Sequence, residues 1–274
     1  MSVSDSSKPV LVPDRLLVTV SVSLLVLASV SWMASYYLMP LMMSSGQGMM
    51  SSGVASIVSS LSLPALSLFE IVWIIGMAAM MFPAMIPIVL FYSKVALKQE
   101  PNPFVAKVAG VPLFLSGYLI TYALLGLGAF IAIYEALNVS MGLSMSLVPL
   151  SVIGPGAILI VAGIYQFTPL KSRCLSGCVS PIGFFAVHYR NGLRGSIQMG
   201  FRHGVYCVGC CWAYMLVMLA VGAMSIPVMA VLAGVIALEK VIVRGAAWFN
   251  ALVAGSLIGL GVFATIFPSV LAMI

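Results

Sequence analysis

Long apolar runs constrain this chain more than any other feature of its sequence. Several stretches stay apolar for about 20 residues, the length of a helix that crosses the hydrocarbon core of a bilayer. Only 7% of the 274 residues are charged, against about 25% in soluble domains, and 62% are hydrophobic. Strands of a membrane barrel would instead alternate apolar and polar residues over about 10 positions. The runs predict an all-α, polytopic transmembrane helical bundle and exclude a soluble or disordered chain.

Seven apolar stretches are predicted as membrane spans. They are 16–39, 66–92, 111–134, 148–168, 204–224, 227–239 and 247–270. Six full spans remain an alternative, because the sixth stretch has only about 13 residues and is short for a complete crossing. We expect residues 1–15 to form a cytoplasmic tail and residues 16–274 to form a single transmembrane helical domain.

The positive charges favour one orientation of these spans. In the seven-span arrangement all twelve Lys and Arg lie on the same side of the membrane. The connections on the other side, 40–65, 135–147 and 225–226, contain none. Because cytoplasmic loops carry the excess of Lys and Arg, the N-terminus is predicted inside and the C-terminus outside. The net charge of +6 therefore indicates orientation in a lipid bilayer, and no nucleic-acid partner is expected.

The residues best suited to chemistry are concentrated in one short window. All five Cys and both His fall within 174–211. If span five is helical from about His203, then His203, Cys207, Cys210 and Cys211 stand at i, i+4, i+7 and i+8. Residues at these spacings share one face of an α-helix. The window therefore predicts a stripe of thiols and imidazole along span five.

A pair of cysteines at i and i+4, Cys174 and Cys178, could close over that stripe from the preceding connection. The inner compartment is reducing, so free thiols are expected rather than disulfides. Thiolates beside an imidazole suit Cu(I) or Zn(II) and do not suit Mg or Ca. We predict a soft-metal site with copper favoured and zinc as the alternative. The competing explanation is that these cysteines pack as small buried hydrophobic residues.

Methionines of span two extend the same hypothesis. Met77, Met81 and Met85 stand at i, i+4 and i+8, with Met80 beside them. At 1.5 Å per residue, Met85 and Cys210 both lie about 10 Å from the inner ends of their predicted spans. Thioether and thiolate could therefore meet at one depth, and both prefer Cu(I). Ordinary packing is the alternative, because Met is a common apolar filler.

No enzyme motif accompanies these residues. The chain has no Gly-rich phosphate loop, no HExxH and no nucleophile elbow, so catalysis by this chain alone is not indicated. Glu239 ends span six beside Lys240. Glu239 could pair with Arg202 or Arg244, or accept a hydrogen bond from His203, and we expect the plain ion pair.

Four blocks of the sequence resemble a known family. In chain order they are WIIGMAAMMFP (73–83), YQFTPLKSRCLSGCVSP (165–181), GFRHGVYCVGCCWAYM (200–215) and LEK (238–240). Over residues 70–265 the chain is similar to the bacterial and archaeal family of unknown function described as predicted metal-binding integral membrane proteins. The resemblance implies metal binding in a prokaryotic cell membrane. The motif positions that it carries over are Met77, Met80, Met81, Cys174, Cys178, His203, Cys207, Cys210, Cys211 and Glu239. The family commonly has a basic or His residue where this chain has Gly177, so no extra ligand is expected there.

Three functions remain open at this point. The first is binding of a soft metal for homeostasis, delivery or transport, with a metallochaperone as a possible partner. The second is an accessory or structural subunit of a larger membrane complex, such as a copper-dependent oxidase or monooxygenase, packed laterally against other subunits. The third is a thiol–disulfide relay, although no second Cys pair lies toward the outer face.

Overall fold

Helices account for nearly all of the chain that the structure, a computed structural model, describes. The described residues are 14–44, 62–99, 109–142, 148–222 and 225–267. They form α1 (Asp14–Ser44), α2 (Leu63–Gln99), α3 (Gly110–Gly142), α4 (Val148–Tyr165), α5 (Pro169–Val179), α6 (Pro181–His188), α7 (Gly192–Gly222), α8 (Ile226–Ala237), the π-helical segment Leu238–Ile242 and α9 (Ala247–Ile266).

Every predicted span coincides with a helix. Five helices, α1, α2, α3, α7 and α9, are long and apolar enough to cross a membrane, as in a multi-pass membrane protein. The helices at the fourth and sixth predicted spans, α4 and α8, have 18 and 12 residues. The all-α prediction is confirmed, whereas the number of crossings and the orientation stay predictions. The predicted tail at 1–15 lies almost entirely outside the described residues.

Helix α7 differs most from its predicted span, because it begins at Gly192, twelve residues earlier than predicted. The preceding connection is also helical and consists of α5 and α6. Pro169 and Pro181 lie in the first turns of these two helices, where a missing N–H costs no hydrogen bond. The side chains of Thr168 and Ser180 cap their N-termini. The connection is therefore a pair of ordered helices that can hold side chains in place.

Glycines allow the backbones of α3 and α7 to approach each other closely. A Cβ added at Gly200 would lie 1.9 Å from the carbonyl oxygen of Phe114, and one at Gly117 would lie 2.1 Å from that of Ile197. Gly204 follows Gly200 by one turn, which is the small-residue spacing typical of packed membrane helices. These glycines bring the side chains of α3 within reach of those on α7.

The other helices complete the bundle around this pair. Helices α4 and α9 pack on each other through Gly156 and Gly261, where a Cβ at either residue would lie within 3 Å of the other residue's carbonyl oxygen. Helix α1 packs on α2, and α2 packs on α3 and α8. The apolar core lies among α2, α3, α7 and α8 and is rich in Met and aromatic residues.

The close approach at Gly200 predicts a specific loss of stability. Gly200→Ala should lower the free energy of unfolding by about 1–3 kcal/mol, because the new methyl group would overlap the backbone of α3. Gly128→Ala on α3 is the matched control, since a Cβ there meets no described atom within 4 Å. The control should be neutral or slightly stabilising. Denaturant titration in mild detergent measures both, and equal effects would contradict the packing argument.

Candidate metal centre

Three cysteine thiols come together between α5 and α7. They belong to Cys178, Cys207 and Cys210, and their Sγ atoms all lie within 4.8 Å of one another. The Sγ atoms of Cys178 and Cys210 are 3.7 Å apart. No other group of three or more Cys, His, Asp or Glu side chains close enough for a metal ion was found within the described ranges. Three of the predicted sulfur donors therefore share one location.

Two glycines let α5 lie against α7 at this point. A Cβ at Gly209 would lie 2.5 Å from Sγ of Cys174, and a Cβ at Gly177 would lie 2.8 Å from the ring of Tyr206. A larger residue at Gly177 would require either the ring of Tyr206 or helix α5, which carries Cys178, to move. Gly177, where the resembled family commonly has a basic or His residue, thus allows close packing of α5 on α7 in this protein.

The remaining predicted thiols lie beside the three-thiol group. Cys211 is on α7, with its Sγ 4.0 Å from that of Cys207. Cys174 is half-buried and faces the backbone of Gly209, one turn of α5 away from Cys178. Burial, together with the nearby charge of Cys210, raises the pKa of the Cys174 thiol above its ordinary value. Cys174 therefore favours the protonated thiol.

His203 lies one turn before Cys207 on α7 and is buried. Its ring packs among the rings of Phe114, Tyr118 and Phe184. Nδ1 of His203 has no hydrogen-bond partner among the described residues. The imidazole is on the predicted face of α7 but is not one of the three clustered donors.

All four predicted methionines of α2, Met77, Met80, Met81 and Met85, are buried in the core. The helix that carries them packs on α3. Trp73 lies one turn before Met77, and its indole Nε1 donates to the carbonyl oxygen of Tyr122 at 3.0 Å.

The same tyrosine belongs to a set of polar groups that surround Cys207. The hydroxyl of Tyr122 donates to Sγ of Cys207 at 3.1 Å, and the hydroxyl of Tyr118 lies 3.1 Å from the same sulfur. The ammonium group of Lys240 donates to it at 2.8 Å. An ammonium and two phenolic hydroxyls therefore surround one sulfur, and hydrogen bonds of this kind stabilise negative charge where a ligand sulfur carries it. The sequence analysis did not predict that Tyr118, Tyr122 or Lys240 would contact Cys207.

A second polar network lies next to the thiols. The ammonium group of Lys171 forms an ion pair with Glu239 and a hydrogen bond with Oε1 of Gln166. The Tyr214 hydroxyl donates to Oε2 of Glu239 at 3.3 Å and to Gln166 at 3.2 Å, one proton being shared between them. Lys171 is 0% exposed. This network fastens α5 to α7 and to the segment after α8.

The partner of Glu239 differs from the expected one. Glu239 pairs with Lys171, whereas Arg202 and Arg244 are exposed. Burial accounts for the difference, because Glu239 and Lys240 are buried in the π-helical segment, where Glu239 meets the buried Lys171 and Lys240 meets Cys207. A π-helical turn inside a helical region often marks a functional site. The opposite charges of Glu239 and Lys240 at the end of an apolar run were the available signal.

The structure therefore describes a helical bundle of the membrane-protein class with three clustered thiols, which are donors that suit a soft metal. The family model described as PpoB2, copper chaperone, matches residues 70–264. The chain belongs to this family. No curated protein and no solved structure matches the chain. The family supports the prediction of copper association, and the matched residues nearly coincide with those of the resemblance found in the sequence.

The ion pair of Lys171 and Glu239 predicts an asymmetric effect of substitution. Glu239→Leu should lower the free energy of unfolding by about 3–5 kcal/mol, because it leaves the buried ammonium without a carboxylate. The double variant Lys171→Met, Glu239→Leu should recover most of that loss, since it removes both charges. Denaturant titrations of the wild type, both single variants and the double variant form the complete cycle. A double variant no more stable than Glu239→Leu would contradict the pairing.

Proposed function

We propose that this protein carries Cu(I) as cargo within the membrane, bound between Cys178, Cys207 and Cys210. The observation that carries the proposal is the distance among the three sulfurs. Three sulfurs bound to one ion through bonds of about 2.3 Å stand about 4 Å apart in a trigonal arrangement. The 3.7 Å between Cys178 and Cys210, and the 4.8 Å limit on all three, fit that requirement with small movements. Thiolates are also the ligands that select Cu(I).

The site draws its donors from two helices of different kinds. Cys207 and Cys210 lie on the long helix α7, whereas Cys178 lies on α5, which has only 11 residues. A displacement of α5 would remove one of three donors and lower the affinity for Cu(I). This arrangement supports delivery of the ion to an acceptor, and it agrees with the family's description as copper chaperones.

The methionines of α2 supply weaker soft ligands in the same core. Thioethers bind Cu(I) without a negative charge, so they suit transient binding better than thiolates do. Met77 and Met81 follow Trp73 on α2, and Trp73 is joined through Tyr122 to Cys207. We propose that these two methionines bind Cu(I) transiently on its path to the three-thiol group.

A thiol–disulfide relay is the second candidate function. It is favoured by the 3.7 Å between the sulfurs of Cys178 and Cys210, which a small movement could bring to bonding distance. An accessory role in a larger membrane complex is compatible with copper delivery, because the complex would then be the acceptor.

Serine substitution at the three cysteines tests the proposal. Cys178→Ser, Cys207→Ser and Cys210→Ser should each lower Cu(I) affinity at least tenfold, because a hydroxyl is a poor ligand for a soft ion. Cu(I) competition with a chromophoric chelator, performed without oxygen on the detergent-purified protein, measures the affinity. Elemental analysis should give about one copper per chain, as expected for one group of three donors.

The same assay distinguishes the three-thiol group from a wider ligand set. Cys174→Ser should bind Cu(I) nearly as well as the wild type, because Cys174 faces Gly209 rather than the group. Unchanged affinity in all four variants would overturn the proposal. Recovery of a mixed disulfide with another protein, together with no bound copper, would favour the relay.

Methionine-to-leucine substitution tests the path. Met77→Leu with Met81→Leu should keep one copper per chain but slow its arrival, because leucine preserves the volume and removes the thioether. The rate is followed in proteoliposomes by the ultraviolet absorption of the Cu(I)–thiolate bonds after Cu(I) is added outside. Met33→Leu on α1 is the control, since Met33 is exposed on the surface of the bundle. Equal rates in all three proteins would contradict the path.

A further inference from the structure

Among the positive charges of the described residues, Lys240 stands out because its buried ammonium group contacts a thiol directly. It is 8% exposed, and its ammonium group lies 2.8 Å from Sγ of Cys207 and 3.9 Å from Sγ of Cys211. A lysine at the edge of an apolar bundle could easily extend into water, because its stem is long and flexible. Here it points into the bundle instead, so its charge acts directly on the three-thiol group.

The other buried charges near the group cancel each other. Glu239, next to Lys240 in sequence, is paired with Lys171 and does not offset the charge of Lys240. Arg202 and Arg244 are exposed, and water screens their charges. The fixed charge that the thiol group experiences from these neighbours is therefore one positive unit, held by Lys240.

We propose that Lys240 is a specificity-determining residue that makes the three-thiol group prefer monovalent over divalent soft metal ions. This inference rests on the proposed function, in that Cys178, Cys207 and Cys210 hold the metal. Repulsion between Lys240 and a bound ion grows with the charge of the ion. The repulsion from Lys240 therefore destabilises a bound divalent ion such as Zn(II) twice as much as it destabilises bound Cu(I). Equivalently, three thiolates around Cu(I) keep two negative charges, and Lys240 stabilises that complex more than the singly negative complex of Zn(II).

The size of the effect follows from the short distance. With Lys240 about 5 Å from the ion and an effective dielectric constant of about 20, one unit of charge changes the affinity ratio by about two orders of magnitude. Relaxation of the site and penetration of water reduce this value. A shift of at least tenfold in the ratio of the Zn(II) to the Cu(I) dissociation constant is the expected minimum.

Neutral substitutions at Lys240 test the inference. Lys240→Met removes the charge with nearly the same length, and Lys240→Gln is a second neutral variant that keeps a hydrogen-bond donor. Lys240→Arg keeps the charge. Lys94→Met is the matched control, because Lys94 is exposed on α2. The dissociation constants of Cu(I) and of Zn(II) are measured separately on each detergent-purified, monodisperse protein by competition with chromophoric chelators.

The ratio of the two constants gives the answer, because a purely structural role would weaken both metals alike. We expect the Zn(II)-to-Cu(I) ratio of dissociation constants to fall at least tenfold in Lys240→Met and Lys240→Gln and to stay within about threefold in Lys240→Arg and Lys94→Met. An unchanged ratio in a folded neutral variant overturns the inference while leaving the proposed function intact. A wild-type protein that does not bind Cu(I) overturns the proposed function itself, and the inference with it.

Discussion

The region around the three-thiol group depends on how its buried charges are paired. Lys171, Glu239 and Lys240 are all removed from water, and each would cost several kcal/mol without a partner. Lys171 and Glu239 satisfy each other and thereby join α5 to the segment that follows α8. Lys240 finds its partner in Cys207. The pairing of charges therefore holds α5 and its Cys178 against α7, which completes the three-thiol group.

Close packing makes these pairings possible. Gly200 and Gly117 bring α3 so near to α7 that the hydroxyl groups of Tyr118 and Tyr122 reach Cys207. The energy of such packing is mostly dispersion, since membrane helices gain little hydrophobic energy from one another. The hydrogen bonds of Cys207 therefore depend on the close packing of α3 and α7, because a wider separation of the helices would move the tyrosine hydroxyl groups away from its sulfur.

The sequence predicts the fold better than it predicts the site, and the reason is the range of the interactions. Apolar runs are local, so every predicted span coincides with a helix. The early start of α7 was missed because residues 192–203 are helical but largely polar. An apolar run in the sequence cannot indicate a helix made of polar residues. The cysteines of α7 were predicted to share one face from their helical spacing, and two of them lie in the three-thiol group. Tyr122 and Lys240 were missed because they are 85 and 33 residues away from Cys207 in the sequence. A local sequence pattern does not indicate contacts between residues so far apart.

The hydrogen bonds of Cys207 also bear on the proposal that the three-thiol group passes Cu(I) on rather than storing it. In a structural zinc site the metal supplies much of the folding energy, because its ligands have no other means of stabilisation. Cys207 differs, since Lys240 and Tyr122 both donate to its sulfur without a metal being needed. If the three-thiol group carries Cu(I) as proposed, loss of the ion would therefore leave the Cys207 sulfur with hydrogen-bond partners. A site whose key ligand is stabilised by the protein itself gives up its ion at lower cost, and that property suits delivery better than permanent storage.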